Sequence, residues 1–199
     1  MLKFEGQLPH DCYVACSGGS DSMALLHFLQ QKRRPKVAYF NHGTEHSKAA
    51  EIFVRDYCRA NDLHLEIASI SAAKTGKESH EEYWRNERYR FFHSLPLPVL
   101  MAHNLDDCIE SWIFSSLHGE GKIIPYRNVN VIRPFRQTPK ADMREWCEKN
   151  RVAWAEDSSN LDCRYMRNHI RHRIVPEALV VNPGLAKVIR KKILAERSE

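Results

Sequence analysis

No two of the six cysteines, Cys12, Cys16, Cys58, Cys108, Cys147 and Cys163, form a Cys-x-x-Cys pair, and none has a nearby histidine at zinc-finger spacing. Neither a disulfide framework nor a structural metal is expected, and the pattern fits reduced, mostly buried thiols in a cytoplasmic protein. No apolar core follows Met1, because Lys3, Glu5, His10 and Asp11 interrupt it. No later apolar run reaches the roughly 18 residues of a membrane span, so a soluble chain with no membrane partner is expected. Internal repeats and low-complexity tracts are also missing. So is the phosphate loop Gly-x-x-x-x-Gly-Lys-Ser/Thr: Gly121-Lys122 is followed by Ile123 and preceded at the needed spacing by Ser116. Kinase and motor-type ATPase chemistry is thereby disfavoured.

What is present is a chain of 199 residues, enough for one domain of good size with at most a small appendage. Its net charge of +5 is unevenly spread. Residues 164–199 hold nine Lys/Arg against three Glu, a net +6, and the remainder holds 21 against 22. A near-neutral body with a basic end suits an acidic polymer, since Lys and Arg gain affinity by displacing counterions from phosphates. A solvated basic helix is the alternative.

Short β-branched and aromatic runs alternate with segments of helical period, the signature of an α/β fold with a doubly wound parallel sheet. Strands are predicted near Cys12–Ala15, Lys36–Phe40, Leu63–Ala68 and Pro98–Ala102, each with its own helix. The helices are predicted from Ser20-Asp21 to before Pro35, over Ser47–Arg59, over Ser79–His93 and over Leu105–Leu117. A long connection marked by Gly119, Gly121, Pro125 and Pro134 leads to Val129–Arg133. Thr138 then reads as an N-cap with Pro139 at the first helical position of a helix to Lys149. Asp162 can cap a last predicted helix to Ile174, stopped by Pro176. The expected division is residues 1–155 as the nucleotide domain and 156–199 as a basic helical extension.

The first strand runs into Ser17-Gly18-Gly19-Ser20-Asp21-Ser22 and then a helix. Adjacent glycines let several N–H groups converge on one anion, and the helix N-terminus adds about half a positive charge. Ser17, Ser20 and Ser22 can donate hydroxyls, and Asp21 can hold Mg²⁺ between phosphates. In His103-Asn104-Leu105-Asp106-Asp107-Cys108-Ile109-Glu110, Asp107 and Glu110 share a helical face and can grip a cation or an ammonium group. Arg85 and Arg88 also share a face, either toward phosphate or toward solvent. Arg164, Arg167, Asn168 and Arg171 fall at i, i+3, i+4 and i+7, a stripe suited to phosphodiester contacts.

Ser-Gly-Gly-x-Asp-Ser resembles the hallmark of the PP-loop, or N-type, ATP pyrophosphatases, of adenine nucleotide alpha hydrolase-like fold. Further segments, in order, are similar to the tRNA(Ile)-lysidine synthetase family within that group: Asn41-His42-Gly43, the Glu81–Tyr89 stretch, Ala102-His103 with Asp106, Asp107 and Glu110, and Glu156-Asp157-Ser158-Ser159-Asn160 followed by Tyr165-Met166-Arg167-Asn168 and Arg171-His172. The resemblance runs from Val14 to about Pro176. It implies ATP and Mg²⁺ at Ser17–Ser22, with His42, Arg85 and Arg88 also on ATP. Asp21 and Asp106 lie near the metal, and Asp107 and Glu110 bind the ammonium of free lysine. His103 serves as proton acceptor or orienting group, and Arg164, Arg167, Asn168 and Arg171 contact tRNA. The implied reaction joins lysine to C2 of the wobble cytidine after adenylation. Gly43-Thr44-Glu45 departs from the family's Gly-Leu-Arg, and Ser111 from its Thr. The chain reads as a short form lacking the family's C-terminal domains, and the oligomeric state, a homo-oligomer included, is left open. A tRNA thiolase would want a Cys-x-x-Cys; a small-metabolite synthetase leaves the arginines unexplained; a binding protein without turnover has no need of the intact loop and carboxylates.

Overall fold

A computed structural model of the chain describes residues 2–70, 79–156 and 166–196. Six strands form one sheet: β1 Tyr13–Ala15, β2 Lys36–Asn41, β3 Leu65–Ser69, β4 Val99–Leu100, β5 Arg127–Asn128 and β6 Val131–Ile132. Their order is β3-β2-β1-β4-β6-β5, parallel except for the β5–β6 hairpin at one edge. The helices between and after the strands are α1 Ser20–Gln30, α2 Glu45–Ala60, α3 His80–Ser94, α4 Leu105–Leu117 and α5 Lys140–Lys149. The doubly wound α/β architecture expected from the alternating pattern is present, and α4 has the predicted bounds.

Alternation along the strands builds two cores, as a sheet covered on both faces requires. Val14, Val37, Leu100 and Ile132 stand in one row across the sheet. They pack with Met23 and Leu26 of α1, Val54 of α2 and Met143 of α5. Tyr13, Ala38, Val99 and Val131 face the other way, against Tyr89 and Phe92 of α3.

Val129 is a turn residue with φ 55° in the β5–β6 hairpin. Two local expectations are corrected. Thr138 does not cap α5; its hydroxyl donates to the Lys3 carbonyl, and Pro139 occupies the cap position without a side-chain cap bond. The first helical amide is instead held by another element, Lys140 N–H donating to Asp106 Oδ2 at 2.8 Å. Pro176 does not end the last predicted helix. The chain runs through α6 Met166–His169, a π-helical turn Ile170–Ile174 and α7 Val175–Val181 before α8 Leu185–Glu196. Pro176 sits in the first turn of α7, and the turn before it is wound wider, with Val175 N–H reaching the Ile170 carbonyl. The expected cap Asp162 lies outside the described residues.

The helices after residue 165 share an apolar cluster with α4: Leu105, Ile109 and Ile113 meet Ile170, Leu185, Ile189 and Ile193. Arg136, fully buried, fastens the same end by pairing with Glu5 at 3.0 Å and with Glu196. Among the described residues no helix is long and apolar enough to cross a membrane.

Candidate active site at the carboxyl ends of the strands

The strand order reverses between β1 and β4, and ligands of open α/β sheets collect outside the carboxyl ends at such a point. Residues 17–22 leave β1, His42 leaves β2, His103 leaves β4 and Arg133 leaves β6. Strand polarity alone therefore gathers segments far apart in sequence.

At the end of β1, Gly18 has φ 84° and Gly19 occupies the N-cap of α1 without any side-chain cap bond. The first amides of α1 are thus left to an external acceptor, the arrangement that binds anions. The loop is braced from within: Ser17 N–H donates to Ser22 Oγ at 3.1 Å, and Ser22 Oγ donates to the Gly19 carbonyl at 2.9 Å. Ser22 therefore spends its hydroxyl proton inside the loop, and Ser20 and Ser22 are buried. Ala155 N–H supports the loop through the Gly18 carbonyl at 2.9 Å. In the first turn of α1, Asp21 Oδ1 is buried without a hydrogen-bond partner among the described residues, and Oδ2 lies 3.8 Å from Lys140 Nζ. Burial pushes the Asp21 carboxyl up to about 6, against the pull of Lys140. A poorly compensated carboxylate beside open helix amides fits a divalent cation held between protein and phosphate.

At the end of β2, the His42 ring lies 5.1 Å from Phe40 and 5.7 Å from Trp84, with Nδ1 buried and unpartnered among the described residues. Burial, and then the nearby Arg88, push its pKa down to about 4, so His42 is neutral at pH 7.

At the end of β4, Asn104 and Asp107 form a capping box on α4, each side chain taking the other's backbone N–H at 3.0 Å. Asp106 is exposed and caps α5. Asp107 and Glu110 are 7% and 5% exposed, and two arginines from the last helices close on them. Arg171 forks onto Glu110, Nε to Oε1 at 2.6 Å and Nη2 to Oε2 at 3.0 Å. Arg167 Nη2 reaches Asp107 Oδ1 at 2.6 Å. Burial alone would raise the Asp107 carboxyl, but Arg167, His103, the Asn104 amide and Arg171 together hold it below the usual range. The stripe expected to face RNA thus turns largely inward: Asn168 is buried, Arg171 is mostly covered, and Arg167 has a half-exposed side chain. Arg164 lies outside the described residues.

Sequence reasoning missed Arg133, which is 2% exposed. Its Nε donates to His103 Nδ1 at 3.0 Å, Nη1 to the Pro125 carbonyl at 2.8 Å and Nη2 to Tyr89 Oη at 2.8 Å. Arg85 and Arg88 also approach the Tyr89 ring, at 5.2 and 5.9 Å from its centre, and Arg133 does so at 5.9 Å. Among the described residues no carboxylate pairs with any of these three guanidiniums, and Arg88 Nε is buried without a partner. A charged residue directly after the apolar run Val131–Ile132 was the available signal.

The model of the PP-loop domain family matches residues 3–178. The tRNA(Ile)-lysidine synthase of Lactiplantibacillus plantarum is 35% identical over 193 residues, which are 87% of this chain and 43% of that protein. That of Thermotoga maritima is 30% identical over 198 residues, 90% of this chain and 48% of that one. The chain thus spans less than half the length of these relatives. Among solved structures, the NH3-dependent NAD synthetase from Campylobacter jejuni has the same fold at a TM-score of 0.53 and 12% identity, over 96% of this chain and 87% of that one.

Proposed function

The chain belongs to the PP-loop family, and from that premise we propose that it uses ATP to adenylate the C2 carbonyl oxygen of the wobble cytidine of tRNA(Ile) and then joins the side-chain amine of free lysine to that carbon. The observation that carries the reading is the opposition, across the β1–β4 switch point, of an uncapped helix N-terminus with Asp21 and a buried pair of carboxylates at Asp107 and Glu110. The curated relatives named tRNA(Ile)-lysidine synthase support the choice of nucleic acid and amine.

In this scheme the carbonyl oxygen attacks the α-phosphorus, the bond to the β-phosphate oxygen breaks and pyrophosphate leaves. The lysine nitrogen then attacks C2, loses a proton, and AMP leaves with the former carbonyl oxygen. Adenylation is needed because that carbonyl is a poor electrophile and hydroxide-like oxygen a poor leaving group. The residues from Ser17 to Ser22 hold the departing phosphates through α1 amides, and His42 borders the adenosine. Arg85 and Arg88 offer positive charge with no carboxylate paired to them among the described residues. Mg²⁺ at Asp21, with Asp106 beside it, would screen phosphate charge when bound.

Asp107 and Glu110 take the lysine ammonium, and the Arg167 and Arg171 guanidiniums already pair with the same carboxylates. The ammonium and the two guanidiniums therefore compete for the same oxygens. The tRNA backbone meets the basic helices, Arg167 included, in a cytoplasmic reaction.

The test is pyrophosphate release measured with ATP, lysine and tRNA(Ile) transcript. Release should require the transcript, and lysine should be needed for AMP release. Release that needs neither would remove the proposal.

A further inference from the structure

Neutral histidine can act as a base through its bare nitrogen or as a donor through the other, and the two roles need different tautomers. The choice at His103 is made by Arg133. A guanidinium nitrogen has no lone pair to offer, so Arg133 Nε must be the donor in its 3.0 Å contact with His103 Nδ1. Nδ1 is then the bare nitrogen and its lone pair is used. The single ring proton of the neutral imidazole is on Nε2, which makes no hydrogen bond among the described residues.

Arg133 is itself held from three sides. Its other nitrogens end on Tyr89 Oη and the Pro125 carbonyl, and its strand neighbours β4, so that Met101 N–H meets the Ile132 carbonyl at 2.9 Å. All its acceptors are neutral. It cannot swing away from His103 without orphaning a buried charge, which costs far more than losing one neutral hydrogen bond.

From this geometry we infer that Arg133 is a positioning residue that locks His103 as a neutral Nε2–H donor, aimed at an oxygen of the reacting group, so that His103 is not the base that deprotonates the amine. The naming of that oxygen rests on the proposed function: it is the adenylated carbonyl oxygen or a non-bridging oxygen of its phosphate, where negative charge grows as AMP departs. A neutral fixed donor stabilises such charge without a proton changing hands.

The charged groups around the ring agree. Burial first, then Arg133, Arg167 and Arg88, outweigh the pull of Asp107 and push His103 down to about 3. Protonation would also set an Nδ1–H against the Arg133 Nε–H, two donors head to head.

The experiment reads the tautomer directly, by long-range ¹H–¹⁵N correlation of the histidine rings in the whole ¹⁵N-labelled chain, with His103→Gln used to assign the signals. The wild type should show a bare Nδ1 and a protonated Nε2, unchanged between about pH 5.5 and 8. Arg133→Met should release the ring into a tautomer mixture, whereas Tyr89→Phe, which leaves the Nε contact, should not. If Arg133→Met does not fold, Arg133→Lys serves, with partial retention of the wild-type pattern expected.

Turnover gives the second readout. His103→Gln keeps an N–H near the Nε2 position but cannot act as a base, so it should lose about tenfold in kcat where His103→Ala loses about a hundredfold or more, with lysine KM changing less than kcat in both. A protonated Nδ1 in the wild type, a ring that titrates between about pH 5.5 and 8, or equal loss in the Gln and Ala variants would overturn the inference. The tautomer needs no substrate. A locked Nε2–H in a chain that does not modify tRNA would therefore sink the proposed function alone, and lysine transfer with a protonated Nδ1 would sink this inference alone.

Discussion

Asp21 is a carboxylate placed where the protein alone serves it badly, with one oxygen buried and unpartnered among the described residues and the nearest cation 3.8 Å from the other. Its folded pKa, about 6, lies above the ordinary 3.8. The folded state therefore holds this proton more tightly than the unfolded one. The group costs stability at pH above about 6, and the cost is relieved as pH falls through that range toward 4. Asp21→Asn should accordingly raise the melting temperature of the ligand-free protein by a few degrees at about pH 8 and by less at about pH 5, while reducing pyrophosphate release at least a hundredfold. Near-normal release from this variant would remove Asp21 from the phosphate site. Glu110 sets the complementary test for the amine. With its carboxylate replaced in Glu110→Gln, the KM for lysine should rise tenfold or more while that for ATP stays within about twofold. Equal effects on both would place Glu110 with the nucleotide.

At the scale of elements, much was legible because the determinants are local. The Ser17–Ser22 loop sits between an apolar run and a helix, the determinants of α4 lie within its own apolar period, and both helices begin where the sequence puts them. What was not legible depends on partners distant in the chain. Nothing near Thr138 says that its hydroxyl goes to Lys3, or that Asp106 holds the α5 amide instead. Nothing near Arg167 and Arg171 says that they meet Asp107 and Glu110 of α4, about 60 residues away. Nothing near Arg133 and Arg136 says that they are buried, with partners at His103, Tyr89, Glu5 and Glu196 far along the chain. The cap at Asp106 and the metal role proposed for it can be separated by experiment. Asp106→Ala should cost about 1 kcal/mol, the usual loss of a helix cap, whereas Asp106→Asn keeps an acceptor oxygen and should keep the stability. A Mg²⁺ requirement raised in both variants would mark a metal ligand, and a normal requirement in the Asn variant would leave Asp106 a cap only.

At the scale of the molecule, a basic tail end is stapled to a nearly neutral nucleotide fold. The staple is both apolar and ionic: Ile189 and Ile193 bury against α4, and Arg136 joins Glu5 to Glu196. On the outward side of α8, Lys187 and Lys191 are exposed and one turn apart. If these helices carry tRNA, Lys187→Ala with Lys191→Ala should flatten the slope of log affinity against log salt by roughly one to two units and leave ATP binding unchanged. An unaltered slope would make that face solvated surface. The account as a whole turns on what happens to the nucleoside. After the chain is incubated with ATP, isotope-labelled lysine and tRNA(Ile) transcript, mass analysis of the digested nucleosides should find one cytidine per tRNA carrying labelled lysine, with one pyrophosphate and one AMP released for each. Unmodified cytidine throughout, or a label-free modified base, would contradict it.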